Sequence, residues 1–272
     1  MTDTAPPPAA AGHPAVRPQP SGPAAATGVG GAVVLIGVRV ALWLGVQLLL
    51  AGLLVVAGIT AAGQALNEAA GWWMVYGALV DLGTLGVIFW LLRRDGGSYR
   101  GLLGPPTTAW QVALGALGVL GASVPAVVFS GELTSAIYGQ DAIPPMFALV
   151  DLPSWTSVVS VLVVPLLAEL AEPVAYLGVV LPRLEQRLGR PWLAAAVVVA
   201  VWAAEHAVYP LLTSHGSLDL GFAAYRVGSV LPYLAAWTAA YYALGRRLLP
   251  VMAARWVFNG GTALALALGL VE

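Results

Sequence analysis

The residues able to do chemistry in this chain are few, and most fall late in it. Glu169 and Glu172 stand three apart in one apolar stretch, Glu205 and His206 adjoin in the next, and Arg255 and Asn259 stand four apart in the last. A carboxylate with an imidazole can activate a water. An amide N–H can stabilise an oxyanion, and carboxylates with imidazoles can also hold a metal. The same residues have a purely structural use. Glu172 with Arg255 can be a buried ion pair that fixes helix register, and His206 can simply hydrogen-bond a neighbouring helix.

These residues are embedded in an unusually apolar chain. Of 272 residues 59% are hydrophobic and 9% charged, with a mean hydropathy of +0.84 and a net charge of −1. Water-soluble domains carry roughly 25% charged residues, so the composition is that of an integral membrane protein with the lipid bilayer around it. Nucleic acid is excluded as a partner, because no basic excess exists to neutralise phosphates. There is no Cys, which excludes disulfides and Cys-ligated metal. Residues 1–31, rich in Pro and Ala, predict a disordered cytoplasmic tail. Residues 32–272 form one transmembrane domain.

A crossing helix needs about 20 mainly apolar residues. On that basis the fold class is all-α, a polytopic bundle of about seven spanning helices, over 32–62, 71–92, 109–131, 156–182, 192–210, 221–244 and 248–270. The connections alternate in charge. Arg93, Arg94 and Arg100 follow the second span, Arg183, Arg187 and Arg190 the fourth, and Arg246 and Arg247 the sixth. The other connections carry Glu68, then Glu132, Asp141 and Asp151, then Asp219. Basic residues mark the cytoplasmic side, which predicts a cytoplasmic N-terminus and an external C-terminus. The connection 94–108 is expected either along the inner surface or as an ordinary loop. Loop 132–155 is expected over the outer mouth.

Helical rise relates the chemical residues in depth. Glu172 lies about 15 Å above Pro182, His206 about 21 Å above Trp192 and Asn259 about 16 Å above Leu248, at 1.5 Å per residue. Carboxylate, imidazole and amide therefore fall at similar depths, with Arg255 one turn below Asn259 on the same face. Arg39 and Asp81 lie on other spans and read as packing or snorkelling groups. Arg226, near an outer end, also reads as snorkelling.

Three stretches resemble a known family. Glu172-Pro173-Val174-Ala175-Tyr176-Leu177-Gly178, followed by Leu181-Pro182-Arg183-Leu184-Glu185, resembles the first motif of the CPBP (CAAX protease and bacteriocin-processing, or Abi) intramembrane proteases. That motif runs Glu-Glu-x-x-aromatic-Arg-Gly and then Leu-x-Pro-Arg-Leu. Trp202-Ala203-Ala204-Glu205-His206 resembles the second, aromatic-x-x-x-His. Arg255-Trp256-Val257-Phe258-Asn259 stands where the third, His-x-x-x-Asn, is expected. Glu172, Tyr176, Gly178, Trp202, His206 and Asn259 match. Pro173 replaces the second Glu, Leu177 the Arg, and Arg255 the second His.

The resemblance implies an intramembrane endopeptidase of the CAAX type, a hydrolase acting on membrane-associated proteins or peptides in a bacterial plasma membrane. It implies Glu172 as base, His206 as its partner and Asn259 as amide donor. Arg255, Glu169 and Glu205 modify the site, and Tyr176, Gly178 and Trp202 pack the motif. The family name implies Zn2+, with Glu172 and His206 as possible ligands and Glu169 or Glu205 as a third, since His215 falls in an outer loop. Arg255 would repel a divalent cation, so tight zinc binding is not expected. The alternatives are a catalytically inactive relative that binds a membrane protein, as an immunity or scaffold factor, and a small transporter. No internal repeat supports transport.

Overall fold

In the computed structural model residues 28–139, 159–208 and 220–267 are described. Residues 1–27 of the expected tail, most of loop 132–155, His215 and Asp219 lie outside them. All secondary structure among the described residues is helical.

Helix α1 (Val29–Val56) starts within the predicted tail and buries Leu35, Arg39, Trp43, Gln47 and Ala51, a stripe at four-residue spacing. It stops short of the predicted 62. Gly58 takes a left-handed φ of 68°, and the Ala57 and Ile59 N–H groups donate back to the Leu53 and Leu54 carbonyls, closing the helix end as glycine readily does. An unpredicted short helix, α2 (Ala65–Gly71), packs its Ala65 and Ala69 on Ala51 and Leu54 of α1. Helix α3 (Trp73–Asp95) ends at the left-handed Gly96. Helix α4 (Tyr99–Leu102), capped by the Ser98 side chain, lies in the basic connection. Helix α5 (Ala109–Tyr138) opens on a reciprocal capping box between Thr108 and Gln111.

The helical run α6 spans 159–188. It is a π-helical turn (Val159–Val163), an α-helical part (Val164–Pro173), a second π-helical part (Val174–Val180) and a closing α-helical part (Leu181–Leu188). The widened turns adjoin Pro165, Pro173 and Pro182, each lacking the N–H that a regular helix needs. Helices α7 (Pro191–His206), α8 (Leu220–Ala243) and α9 (Leu248–Ala267) follow.

Helix α6 is the centre of the bundle. Its most apolar 18 residues are 67% buried, against 22% for those of α1 and α5, which present Leu49, Leu117 and Val128 outward. Such faces suit lipid. Among the described residues four helices (α1, residues 75–95 of α3, α5 and residues 161–188 of α6) are long and apolar enough to cross a membrane, while α7 is apolar but shorter. Helices α8 and α9 occupy the sixth and seventh predicted spans, so the bundle holds these four helices and three further ones over the expected spans, and the count of seven is approximate.

Contacts define the two ends. At one, Arg183 pairs with Asp95 at 2.8 Å, Arg246 with Glu185 at 2.7 Å, and the Leu248 N–H donates to the Leu103 carbonyl. Gly104, at φ 88°, sits so close to the Arg246 carbonyl that any side chain would strike it. Connection 94–108 is thus folded against the bundle rather than hanging as a loop. The Tyr99 hydroxyl, its pKa pushed up to about 12 by burial, donates to the Leu170 carbonyl at 2.6 Å. At the other end Phe222 and Tyr225 of α8 pack against Trp73, Leu133 and Tyr138.

Candidate active site

A cavity of about 330 Å³ lies between α1, α3, α5, α6, α8 and α9 and the end of α7. Glu172, His206, Arg255 and Asn259 all line it, together with Asp81 and Arg226. The rest of its wall combines the aromatic rings of Trp43, Trp73, Tyr225, Tyr233, Trp237 and Phe258 with small and aliphatic residues.

The floor is an ion-pair network. Arg255 Nε donates to Glu169 Oε2 at 2.7 Å, and Nη2 to Glu172 Oε2 at 2.8 Å. Its guanidinium carbon lies 4.9 Å from the ring centre of Trp202 and 4.5 Å from that of Trp237. Cation–π attraction therefore offsets part of its burial. Arg255 Nη1 is buried without a hydrogen-bond partner among the described residues. Asn259 Nδ2 donates to Glu169 Oε1 at 2.8 Å, so the amide partners Glu169 rather than Glu172. A carboxylate only accepts, which fixes the orientation of this amide.

Arg39 forms the second half of the network. It does not snorkel: it is fully buried, with Nη1 on Asp81 Oδ1 at 3.1 Å and on Thr84 Oγ1 at 2.9 Å. Nη2 reaches Glu172 Oε1 at 3.1 Å, and Nε reaches Glu205 Oε1 at 2.9 Å. Asp81 is likewise buried and ion-paired. Arg39 thereby ties α1 to α3, α6 and α7. Two guanidiniums face four carboxylates.

Glu205 is turned away from the cavity. It accepts from Arg39, from Trp43 Nε1 at 3.2 Å and from the Tyr176 hydroxyl. Tyr176 stacks on Trp202 with ring centres 4.7 Å apart and planes 10° from parallel. A Cβ at Gly178 would stand 3.3 Å from Leu248 Cδ1 and 3.4 Å from Leu102 Cβ. Those motif positions hold α6 against α4, α7 and α9.

His206 Nδ1 lies 2.9 Å from the Trp202 carbonyl one turn earlier. A carbonyl can only accept, so Nδ1 carries the hydrogen and Nε2 is the basic nitrogen of the neutral ring. Glu172 and His206 are close enough to feel one another's charge. Among the described residues no group of three or more His, Asp or Glu could hold a metal ion.

The structure thus brings Glu172, His206, Arg255, Asn259 and Glu169 together and places Glu205 behind them. Arg39 and Asp81 are what sequence reasoning missed. The signal was the four-residue stripe Arg39, Trp43, Gln47, which puts polar side chains on one buried face of α1.

Residues 153–261 match the model of a protein family described as type II CAAX prenyl endopeptidase Rce1-like. The matched stretch is under half of the chain but contains every motif residue from Glu172 to Asn259, and the match supports membership of the CPBP/CAAX protease family. Arg39 and Asp81 fall outside it. No curated protein and no solved structure matches the chain.

Proposed function

We propose, on the premise of that family membership, that this integral membrane protein is a CAAX-type endopeptidase that hydrolyses a peptide bond of a membrane-associated protein or peptide. The carrying observation is that Glu172, His206, Arg255 and Asn259 line one shared cavity. His206 Nε2 takes a proton from a water whose oxygen attacks the scissile carbonyl carbon. Glu172, held in place by Arg39 and Arg255, stabilises the imidazolium that forms. Both Glu172 oxygens accept from guanidiniums, which fits this supporting role better than that of sole base. The Asn259 amide supplies a donor toward the oxyanion. The imidazolium then gives its proton to the leaving nitrogen as the C–N bond breaks, releasing a carboxylate and an amine.

The family's zinc does not fit these residues. The Glu169, Glu172 and Glu205 oxygens are engaged by guanidinium and amide donors, and two guanidiniums would repel a dication. No step above uses a metal.

One observation favours a second reading, an inactive relative that binds a membrane peptide: Arg255, at the position of the family's second His, locks both Glu169 and Glu172. Purified wild type, Glu172→Gln and His206→Ala, supplied with a membrane-peptide library and checked for folding, separate the two. Cleavage by wild type that both substitutions abolish is the expected result. Equal cleavage by all three removes these residues from the chemistry, and no cleavage by wild type favours the binding reading.

A further inference from the structure

The cavity is placed asymmetrically along the bundle. Its rim residues sit at one end: Trp73 opens α3, Tyr225 and Arg226 lie in the first turns of α8, His206 closes α7, and Thr262 lies toward the end of α9. Exposure follows the same axis. Thr262 is exposed and Trp73, His206 and Arg226 are half-buried, whereas Glu172, Trp237 and Arg255 at the floor are buried.

The opposite end is closed beneath that floor. Helix α4 is fastened there by Tyr99 to Leu170, and Leu102 presses on Gly178. The pairs Asp95–Arg183 and Glu185–Arg246 and the Leu103–Leu248 backbone bond seal the connections. No residue of 93–108, 183–190 or 244–247 lines the cavity. This closed end carries Arg93, Arg94, Arg100, Arg183, Arg187, Arg190, Arg246 and Arg247. Dense arginine in short connections marks the cytoplasmic face.

We propose that the cavity opens away from the arginine-rich end, so that the substrate is a peptide segment rich in apolar and aromatic side chains presented at the extracytoplasmic face. The cavity wall supports that chemistry, since its aromatic and aliphatic side chains offer apolar contact to an extended chain while the ion-paired carboxylates lie at its base. A substrate tail presented in the cytoplasm would meet α4 and the ion-paired connections instead. This inference rests on the reading of the cavity as the substrate site.

The chain's lack of Cys makes the test direct. Single-cysteine variants Thr262→Cys and Ser130→Cys probe two cavity walls, and Gln186→Cys probes the arginine-rich end, where it is exposed. Each is expressed in bacterial spheroplasts and treated with a membrane-impermeant sulfonated maleimide, with and without permeabilisation. The two cavity variants are expected to label in intact spheroplasts as fully as after permeabilisation, and Gln186→Cys only after it. Labelling in the reverse pattern, or no labelling of either cavity variant under both conditions, overturns the proposal. Labelling needs no catalysis, so a protein that labels as expected but cleaves nothing defeats the peptidase reading alone. One that cleaves but labels in reverse defeats only the access reading.

Discussion

Arg39 on α1 and Glu172 on α6 meet at 3.1 Å across 133 residues of chain. The pair joins two sources of information. Glu172 belongs to a motif, while Arg39 belongs to none and stands outside the family-matched stretch. The motif's own arginine position is Leu177, fully buried among apolar neighbours. The guanidiniums that reach Glu172 come from Arg39 on α1 and Arg255 on α9.

Removing Arg39 strips a partner from Asp81, Glu172 and Glu205 together. Breaking a buried ion pair costs about 3–5 kcal/mol. Arg39→Ala is therefore expected to lower the thermal unfolding midpoint in detergent strongly. Arg39→Lys should recover only part of the loss, because an ammonium cannot reproduce a planar fork shared among four partners. Equal midpoints for wild type and Arg39→Ala would show that the network is dispensable.

Restoring the family residue at Leu177 should harm rather than help. Leu177→Arg would place a third guanidinium in the apolar core where Leu177 now has no exposure, and buried charge without a partner is strongly destabilising. Loss of folded protein on size-exclusion chromatography is the expected outcome. A well-folded variant with raised activity would contradict it.

How far the site was legible in the sequence follows from these residues. Glu172, His206 and Asn259 stood out because each interrupts an apolar run and their order matches a motif. Helical rise alone then put them at similar depths. Glu205 adjoins His206 in sequence, yet neighbours on a helix are turned about 100° apart, since 3.6 residues complete a turn. One therefore faces α1 while the other faces the cavity. Arg39 was harder, because a single charge in a long apolar run reads as a snorkelling group until packing shows its partners. The early stop of α1 depends on the conformation of Gly58, and nothing in the apolar pattern of 57–62 announces it.

Tyr176 has two separable contacts, the stack on Trp202 and the hydroxyl bond to Glu205. Tyr176→Phe keeps the first and removes the second. A hydrogen bond to a charged group contributes about 1.5–3 kcal/mol, and a loss of that size in unfolding stability is expected. Tyr176→Ala should cost clearly more, since it also empties the place of a buried ring. Equal losses for the two variants would mean that the stack contributes nothing.

Gly178 tests the closeness of α6 to its neighbours. An added methyl would stand 3.3 Å from Leu248 Cδ1 and 3.4 Å from Leu102 Cβ, so Gly178→Ala asks for small shifts of flexible side chains. Gly178→Val adds two further carbons against the same wall, and overpacking of this kind costs about 1–3 kcal/mol. Thermal unfolding should rank wild type above Ala and Ala above Val. A Val variant as stable as wild type would show that the α6–α4 approach is looser than it stands here.

The charge balance of the floor leads to a prediction about metal. Arg255 sits on Glu169 and Glu172 at 2.7 and 2.8 Å, so a dication would have to displace a guanidinium from the carboxylates it needs. Purified wild type is expected to hold far less than one zinc per chain by elemental analysis, and chelators should leave any cleavage unchanged. Arg255→His removes the repelling charge and adds a second imidazole near Glu172 and His206, a donor set of the kind zinc accepts. That variant should gain measurable zinc affinity by calorimetry. Stoichiometric zinc in the wild type would overturn the reading that the two guanidiniums exclude a dication.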